Sequence, residues 1–183
     1  MGLTADKLMQ VPARMCISLK QPKQVLWNGL QHFIGPTAKP LPEYAQVAKW
    51  LGDNRSRGLM LMGDMGRGKS IIAMHILPLI LNHFYQRTLT CVSAYDMNSQ
   101  IDALKQKQLL VLDDVGVERP HFDYGNRRDA FCEIVDAAEQ HGALLIVTTN
   151  LNSKELLARY GERTYDRLRG MMTLVTFMGK SMR

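Results

Sequence analysis

The sequence predicts an α/β protein built on a mainly parallel sheet with helices on both faces. Three observations carry that prediction. Short apolar runs alternate along the chain with segments of helical spacing, the pattern of a parallel sheet. The run Leu109-Leu110-Val111-Leu112 is apolar throughout rather than alternating, as a strand covered on both faces is. The run Gly58-Leu59-Met60-Leu61-Met62 leads directly into Gly63-Asp64-Met65-Gly66-Arg67-Gly68-Lys69-Ser70, which has the form G-x-x-x-x-G-K-[ST] and opens a helix at Ile71-Ile72-Ala73-Met74.

In chain order, residues 1–42 read as a leader. Pro12, Pro22, Pro36, Pro40 and Pro42 break it into short pieces. It is too short and interrupted for a domain of usual size, and is a candidate partner-binding segment. Residues 43–51 have helical spacing, with Tyr44, Val47, Ala48 and Leu51 along one side. The first strand is 58–62. The helix after the glycine-rich turn is expected to kink or end at Pro78. Strands follow at 88–93 and 109–112, separated by a short helix at 96–104. A helix over 127–140 presents Phe131, Ile134, Val135 and Ala138 on one face, and residues 143–148 form the fourth strand. A helix over 153–160 stops at Gly161, a second covers 162–168, and 173–177 is the fifth strand. Residues 43–183 thus read as one domain. Met60, Met62 and Met74 are expected to fill core space around the sheet.

The glycine-rich turn carries the strongest chemistry. Its glycines let successive N–H groups point at phosphate oxygens, and the following helix aims its positive end at the same place. Gly63, Asp64, Met65, Gly66, Arg67, Gly68, Lys69, Ser70 and Ile71 are the candidate nucleotide-binding residues. Lys69 is expected to reach the β- and γ-phosphates, and Ser70 to place its hydroxyl on Mg2+. Asp113 and Asp114 follow the third strand. An apolar strand ending in acids after a P-loop is the Walker B arrangement, which assigns Asp113 to the metal and Asp114 to the attacking water. The fourth strand ends in Thr148-Thr149-Asn150. The Asn150 amide could hold the γ-phosphate or that water, or it could cap the helix that begins near Ser153. Arg163 and Arg167 are spaced i, i+4 and share a helix face. Arginine suits charge on a transferring phosphoryl group and can act in trans, while the alternative is a salt-bridged surface helix.

Composition narrows the class. The formal charge is +6, and residues 154–183 hold seven Lys/Arg against three acids, leaving +4 there. That basic face fits an anionic partner such as nucleic acid or a neighbour's triphosphate, or serves solubility alone. No apolar run is long enough to span a membrane, and no signal-peptide core stands at the N-terminus, so a cytoplasmic protein is expected. Cys16, Cys91 and Cys132 stand singly, without a metal or disulfide pattern.

The ordered set of motifs resembles the AAA+ ATPases, and within them the DnaC/IstB-type family of helicase loaders and transposition helpers. It comprises the P-loop, Leu112-Asp113-Asp114-Val115-Gly116, Thr149-Asn150-Leu151, Glu155-Leu156, Gly161-Glu162-Arg163 with Asp166-Arg167-Leu168, and Gly179-Lys180-Ser181-Met182-Arg183. The resemblance runs from about Leu41 to the end. It implies a five-stranded AAA+ core, a sensor 1 role for Asn150, and an arginine finger at Arg167 that serves a neighbouring subunit's ATP, with Arg163 as the alternative. It also implies ATP and Mg2+ as cofactors, an ATP-dependent homo-oligomer, and slow turnover that depends on DNA or assembly. The expected partners are DNA, single-stranded by preference, and a hexameric replicative helicase; the alternative is an IstB-like transposition helper that binds DNA and a transposase. The sequence departs from the pattern in three ways. The leader is shorter than a typical helicase-binding domain, Asp114 stands where many AAA+ enzymes have Glu, and the fifth strand lies so near the end that no C-terminal lid domain is expected. A small-molecule P-loop kinase is disfavoured, because Asn150 and the Asp166-Arg167-Leu168 set would have no task in it. A module that holds ATP without hydrolysing it is favoured only by Asp114.

Overall fold

A computed structural model of the protein describes residues 13–119, 121–123 and 126–182, with backbone alone at 121–123 and 126–127. The beginning of the expected leader, with Pro12, and Arg183 of the tail lie outside the described residues.

The strands are β1 (Gly58–Gly63), β2 (Thr90–Ser93), β3 (Leu109–Val115), β4 (His121–Asp123), β5 (Asn126–Arg128), β6 (Leu144–Thr149) and β7 (Met172–Phe177). Five of them form one sheet in the order β2-β3-β6-β1-β7, and every pairing in it is parallel. β4 and β5 make a separate antiparallel pair that the sequence reading missed. The helices are α1 (Pro22–Ile34), α2 (Pro42–Gly52), α3 (69–85), α4 (94–104), α5 (Ala130–His141) and α6 (Ser153–Met171).

Side-chain alternation along each strand divides the core between the two faces of the sheet. Leu59 and Leu61 of β1 join Val111, Ile146 and Val175 in one cluster, with α1, α2 and α3. Met60 and Met62 join Leu112, Leu145 and Val147 in the other, with α4, α5 and α6. Each fully buried Leu, Ile or Met contributes roughly 1.5–3 kcal/mol of transfer free energy, so both faces are needed to hold the sheet. Met74 packs half-buried against the first cluster.

Three local outcomes differ from expectation. Pro22 starts α1 instead of breaking the chain, since a residue in the first turn has no intrahelical N–H bond to lose. Ile17, Leu19, Leu26 and Leu30, all from the expected leader, lie in the same core cluster as Leu59. Buried Asn54 fastens that segment: it accepts from the Ile17 N–H at 2.8 Å and donates to the Met15 carbonyl at 3.0 Å. Pro78 does not end α3, which runs on to Tyr85. A π turn, Ile72–Ile76, precedes it, closed by the Leu77 N–H on the Ile72 carbonyl. The widened turn makes room for a ring that would crowd the carbonyl four residues back. Finally, the helix expected at 127–140 starts at Ala130, capped by Asp129 accepting from the Cys132 N–H, because residues 126–128 belong to β5.

α6 keeps the expected break. Gly161 has φ 80° and ψ 166°, so two helical segments meet there at a kink. Asn152 caps the first of them in a reciprocal capping box with Glu155. The cap for which Asn150 was the alternative is therefore made two residues later, at Asn152.

Candidate functional site

Because the sheet is parallel, the carboxyl ends of its strands share one edge, where an open α/β sheet binds ligands. Register places Met62 beside Thr149, Gly63 beside Phe177 and Ser93 beside Asp113. The P-loop, the acid pair, Thr148-Thr149-Asn150 and the segment after β7 meet at that edge.

The P-loop has the backbone its glycines require. Gly63, Gly66 and Gly68 all have positive φ. A side chain at Gly63 would also meet the Phe177 carbonyl at 2.2 Å. Lys69 and Ser70 stand in the first turn of α3, and Ile71 follows them half-buried. Met65 projects into solvent at the tip. A cavity of about 230 Å3 lies over the loop, lined by Gly66, Gly68, Lys69, Ser70, Asp114 and Asn150 among others.

Lys69 joins the motifs. Its buried ammonium donates to the Gly63 carbonyl at 2.8 Å, the Asp64 carbonyl at 2.7 Å and Asn150 Oδ1 at 2.9 Å. Burial pushes its pKa below the ordinary lysine value; Asp114, Asp64 and Asp113 pull the other way, and Arg67 adds to the depression. Asn150 in turn donates through Nδ2 to Asp114 Oδ1 at 3.5 Å. This amide thus stands between the P-loop lysine and the second acid of β3.

The two acids are held differently. Asp113 accepts a 2.6 Å hydrogen bond from the Thr148 hydroxyl. The same hydroxyl accepts from the Asp114 N–H at 2.9 Å. Register between β3 and β6 shifts between Leu112 and Val115, and Asp114 has φ +57° within that irregularity. The bulge turns consecutive acids in different directions, so that Asp114 lines the cavity.

Arg67 departs from the simple picture of a loop residue facing phosphate. Its side chain is buried and turned inward, where Nε donates to Glu43 Oε1 at 2.6 Å within a close ion pair. Glu43 opens α2 and is equally buried. The neighbouring Tyr44 hydroxyl donates to the Arg67 carbonyl at 3.3 Å. Burial raises the Tyr44 pKa, and Glu43 raises it further. Sequence reasoning missed Glu43 as a support of the loop. Its only signal was an acid at a helix start, which occurs in many helices.

Arg163 and Arg167 lie on α6, outside this convergence. Arg167 pairs closely with Asp136 and through Nε with Glu139 at 2.7 Å, both on α5. Arg163 meets Asp136 at 3.3 Å with its side chain 74% exposed, against 21% for Arg167.

No protein-family model and no curated protein matches this chain. Solved structures do. The DnaC helicase loader superposes with TM-score 0.61 at 20% identity, over 84% of this chain and 98% of its own. DnaI gives TM-score 0.61 at 18% identity, over 91% and 96%. AMPPCP-bound DnaA from Aquifex aeolicus gives 0.52 at 19%, over 73% of this chain and 44% of its own. With the parallel five-stranded sheet, its helices on both faces and the P-loop at the carboxyl edge, these likenesses show that the chain has the P-loop α/β fold of the solved DnaC helicase loader, DnaI and DnaA.

Proposed function

We propose that this chain is an ATPase of DNA replication that works as a DnaC-type helicase loader: it binds ATP with Mg2+ and single-stranded DNA and assembles with a hexameric replicative helicase. The observation that carries the reading is Asn150, which bridges Lys69 and Asp114 within one cavity and so unites three separated motifs. The match over nearly the full length of the DnaC helicase loader supports the choice of role, and the AMPPCP-bound DnaA supports the ligand. The net positive charge of the 154–183 region supports an anionic polymer as partner.

In this reading the loop amides and Lys69 hold the β- and γ-phosphates. Lys69 exchanges its bonds to the Gly63 and Asp64 carbonyls for phosphate oxygens, and a lysine already stripped of water loses little solvation in doing so. Asp114 takes up the attacking water and Asn150 orients it. Ser70 and Asp113 supply the oxygen ligands that suit Mg2+, which when bound neutralises charge between the phosphates. Among the described residues no cluster of three or more His, Cys, Asp or Glu could hold a metal unaided, which fits an ion that relies on substrate phosphates. Arg167 acts on a neighbouring copy's ATP, released from Asp136 and Glu139 on assembly; Arg163 is the second candidate on the same helix. Ile17, Leu19, Leu26 and Leu30 pack into the sheet's core, so in this reading the expected leader is built onto the ATPase domain of 43–183 and offers a partner its exposed face alone. No helix among the described residues is long and apolar enough to cross a membrane.

ATP turnover measured with and without single-stranded DNA, across protein concentrations, tests this. Turnover that rises with both is expected. A rate independent of both would remove the shared-site loader, and binding without turnover in all conditions, helicase included, would replace it with a nucleotide-held scaffold.

A further inference from the structure

The segment after β7 runs back over the P-loop, and its contacts are specific. The Gly179 N–H donates to Asp64 Oδ2 at 2.7 Å. Arg67 Nη1 donates to the Lys180 carbonyl at 3.1 Å. The Met182 N–H donates to the Gly66 carbonyl at 2.9 Å. Three P-loop residues, Asp64, Gly66 and Arg67, thus each hold one point of a four-residue strap. The approach leaves no room for change. A Cβ on Gly66 would meet Ser181 Oγ at 2.1 Å, and one on Gly179, at φ +123°, would meet Arg67 Nη1 at 2.9 Å. Arg67 can serve as the anchor because Glu43 fixes it from below in a buried ion pair, where an unpaired guanidinium would be costly.

The strap also shapes space. Met182 lines the cavity over the P-loop together with Ile34 and Tyr44. The same three residues line an adjoining hollow closed by Pro36, Thr37, Ala38 and Ser181. A triphosphate seated on the loop amides extends its sugar and base away from Lys69, and this hollow opens beside them. Its lining joins apolar side chains to the hydroxyl residues Thr37, Tyr44 and Ser181 and to Lys39, which suits a flat heteroaromatic ring and its ribose.

We infer that residues 179–182 are a wall of the nucleotide site, with Met182 packing against the base end of ATP and Arg67 acting as a positioning residue that holds the wall to the P-loop. The inference rests on the ATP-binding reading above and adds the element that recognises the nucleoside half. Two ligands separate the halves: Mg-ATP and Mg-tripolyphosphate, which has the phosphates without the nucleoside.

The test is titration calorimetry of both ligands on the intact chain and on Met182→Ala. Met182 is 43% exposed, so its truncation leaves the core intact. ATP affinity is expected to fall roughly tenfold while tripolyphosphate affinity holds within about twofold. A second variant that stops after Met178 is expected to show the same split, enlarged, with some loss for tripolyphosphate as Asp64 and Gly66 lose their partners. Equal losses for both ligands in Met182→Ala would overturn the wall and leave a strap that only stiffens the loop. No loss for either would overturn it outright. An unsubstituted protein that binds tripolyphosphate and ATP equally well would sink the wall while sparing the P-loop, and one that binds neither would sink the nucleotide reading itself.

Discussion

The P-loop edge and the arginine face of α6 are both charged, and they are built in opposite ways. At the edge, Lys69 from the start of α3, Asp113 and Asp114 from β3, and Thr148 and Asn150 from the end of β6 are joined by hydrogen bonds, and Lys69, Asp114 and Asn150 line the cavity. On α6, Arg163 and Arg167 pair with acids of the adjacent helix, Asp136 and Glu139. The hydrogen bonds that join the first region all lie within one chain. In the proposed reading the second gains its task when a neighbour brings a phosphate to it. Affinity and assembly should therefore be separable by substitution.

The sharpest break is Lys69→Ala. It should reduce ATP affinity and turnover at least ~100-fold without unfolding the protein, as read by fluorescent-nucleotide binding and a thermal melt. Arg167→Ala comes next. Binding by the isolated subunit should stay unchanged while assembly-dependent turnover falls about 100-fold or more; normal DNA-stimulated turnover would move the finger to Arg163 or remove it from α6. Glu43→Ala touches stability instead. It strands the Arg67 guanidinium in a buried site, so unfolding should be easier by about 3 kcal/mol and the melting temperature lower by roughly 10 °C. A change under about 1 kcal/mol would mean that Arg67 finds water, and that the loop tolerates its release.

The smallest effect concerns pH. Hydrogen bonding to Arg128 lowers the pKa of Asp102 from its ordinary 3.8 and that of Glu133 from 4.5, with Lys105 adding to both. A depressed folded-state value means stability that is present above the ordinary carboxylate range and lost as pH falls through the depressed values. Arg128→Gln should thus lower the melting temperature slightly at neutral pH, and the gap should close as pH falls through the depressed carboxylate values. A gap that persists in acid would assign the effect to packing.

Much of this was legible in the chain because the signals are local. Five apolar runs gave the strands, and the P-loop and acid pair are contiguous motifs whose geometry follows from residue type. Asn150 was legible as a polar strand end and, through the family resemblance, as a sensor of phosphate; its bond to Lys69 spans 81 positions, which no local pattern encodes. The partnership of Arg67 with Glu43 spans 24 and was equally hidden. Pro22 misled because proline is a breaker inside a helix and a good starter at its first turn. The β4–β5 pair was missed because three-residue strands carry too little periodicity to register. The strap was visible only as a short echo of a family tail, with no hint that it crosses the loop.

Asp114 has one more consequence. With φ +57°, it holds a left-handed backbone that a glycine would adopt at no steric cost. Asp114→Gly should therefore raise stability by up to about 1 kcal/mol while removing the carboxylate that faces the cavity. In the proposed reading, the residue this backbone accepts most easily is one that removes the group assigned to the attacking water. A search for heat-resistant variants would drift toward inactive protein here, and retention of the aspartate in an active population would record selection for chemistry against the preference of the chain.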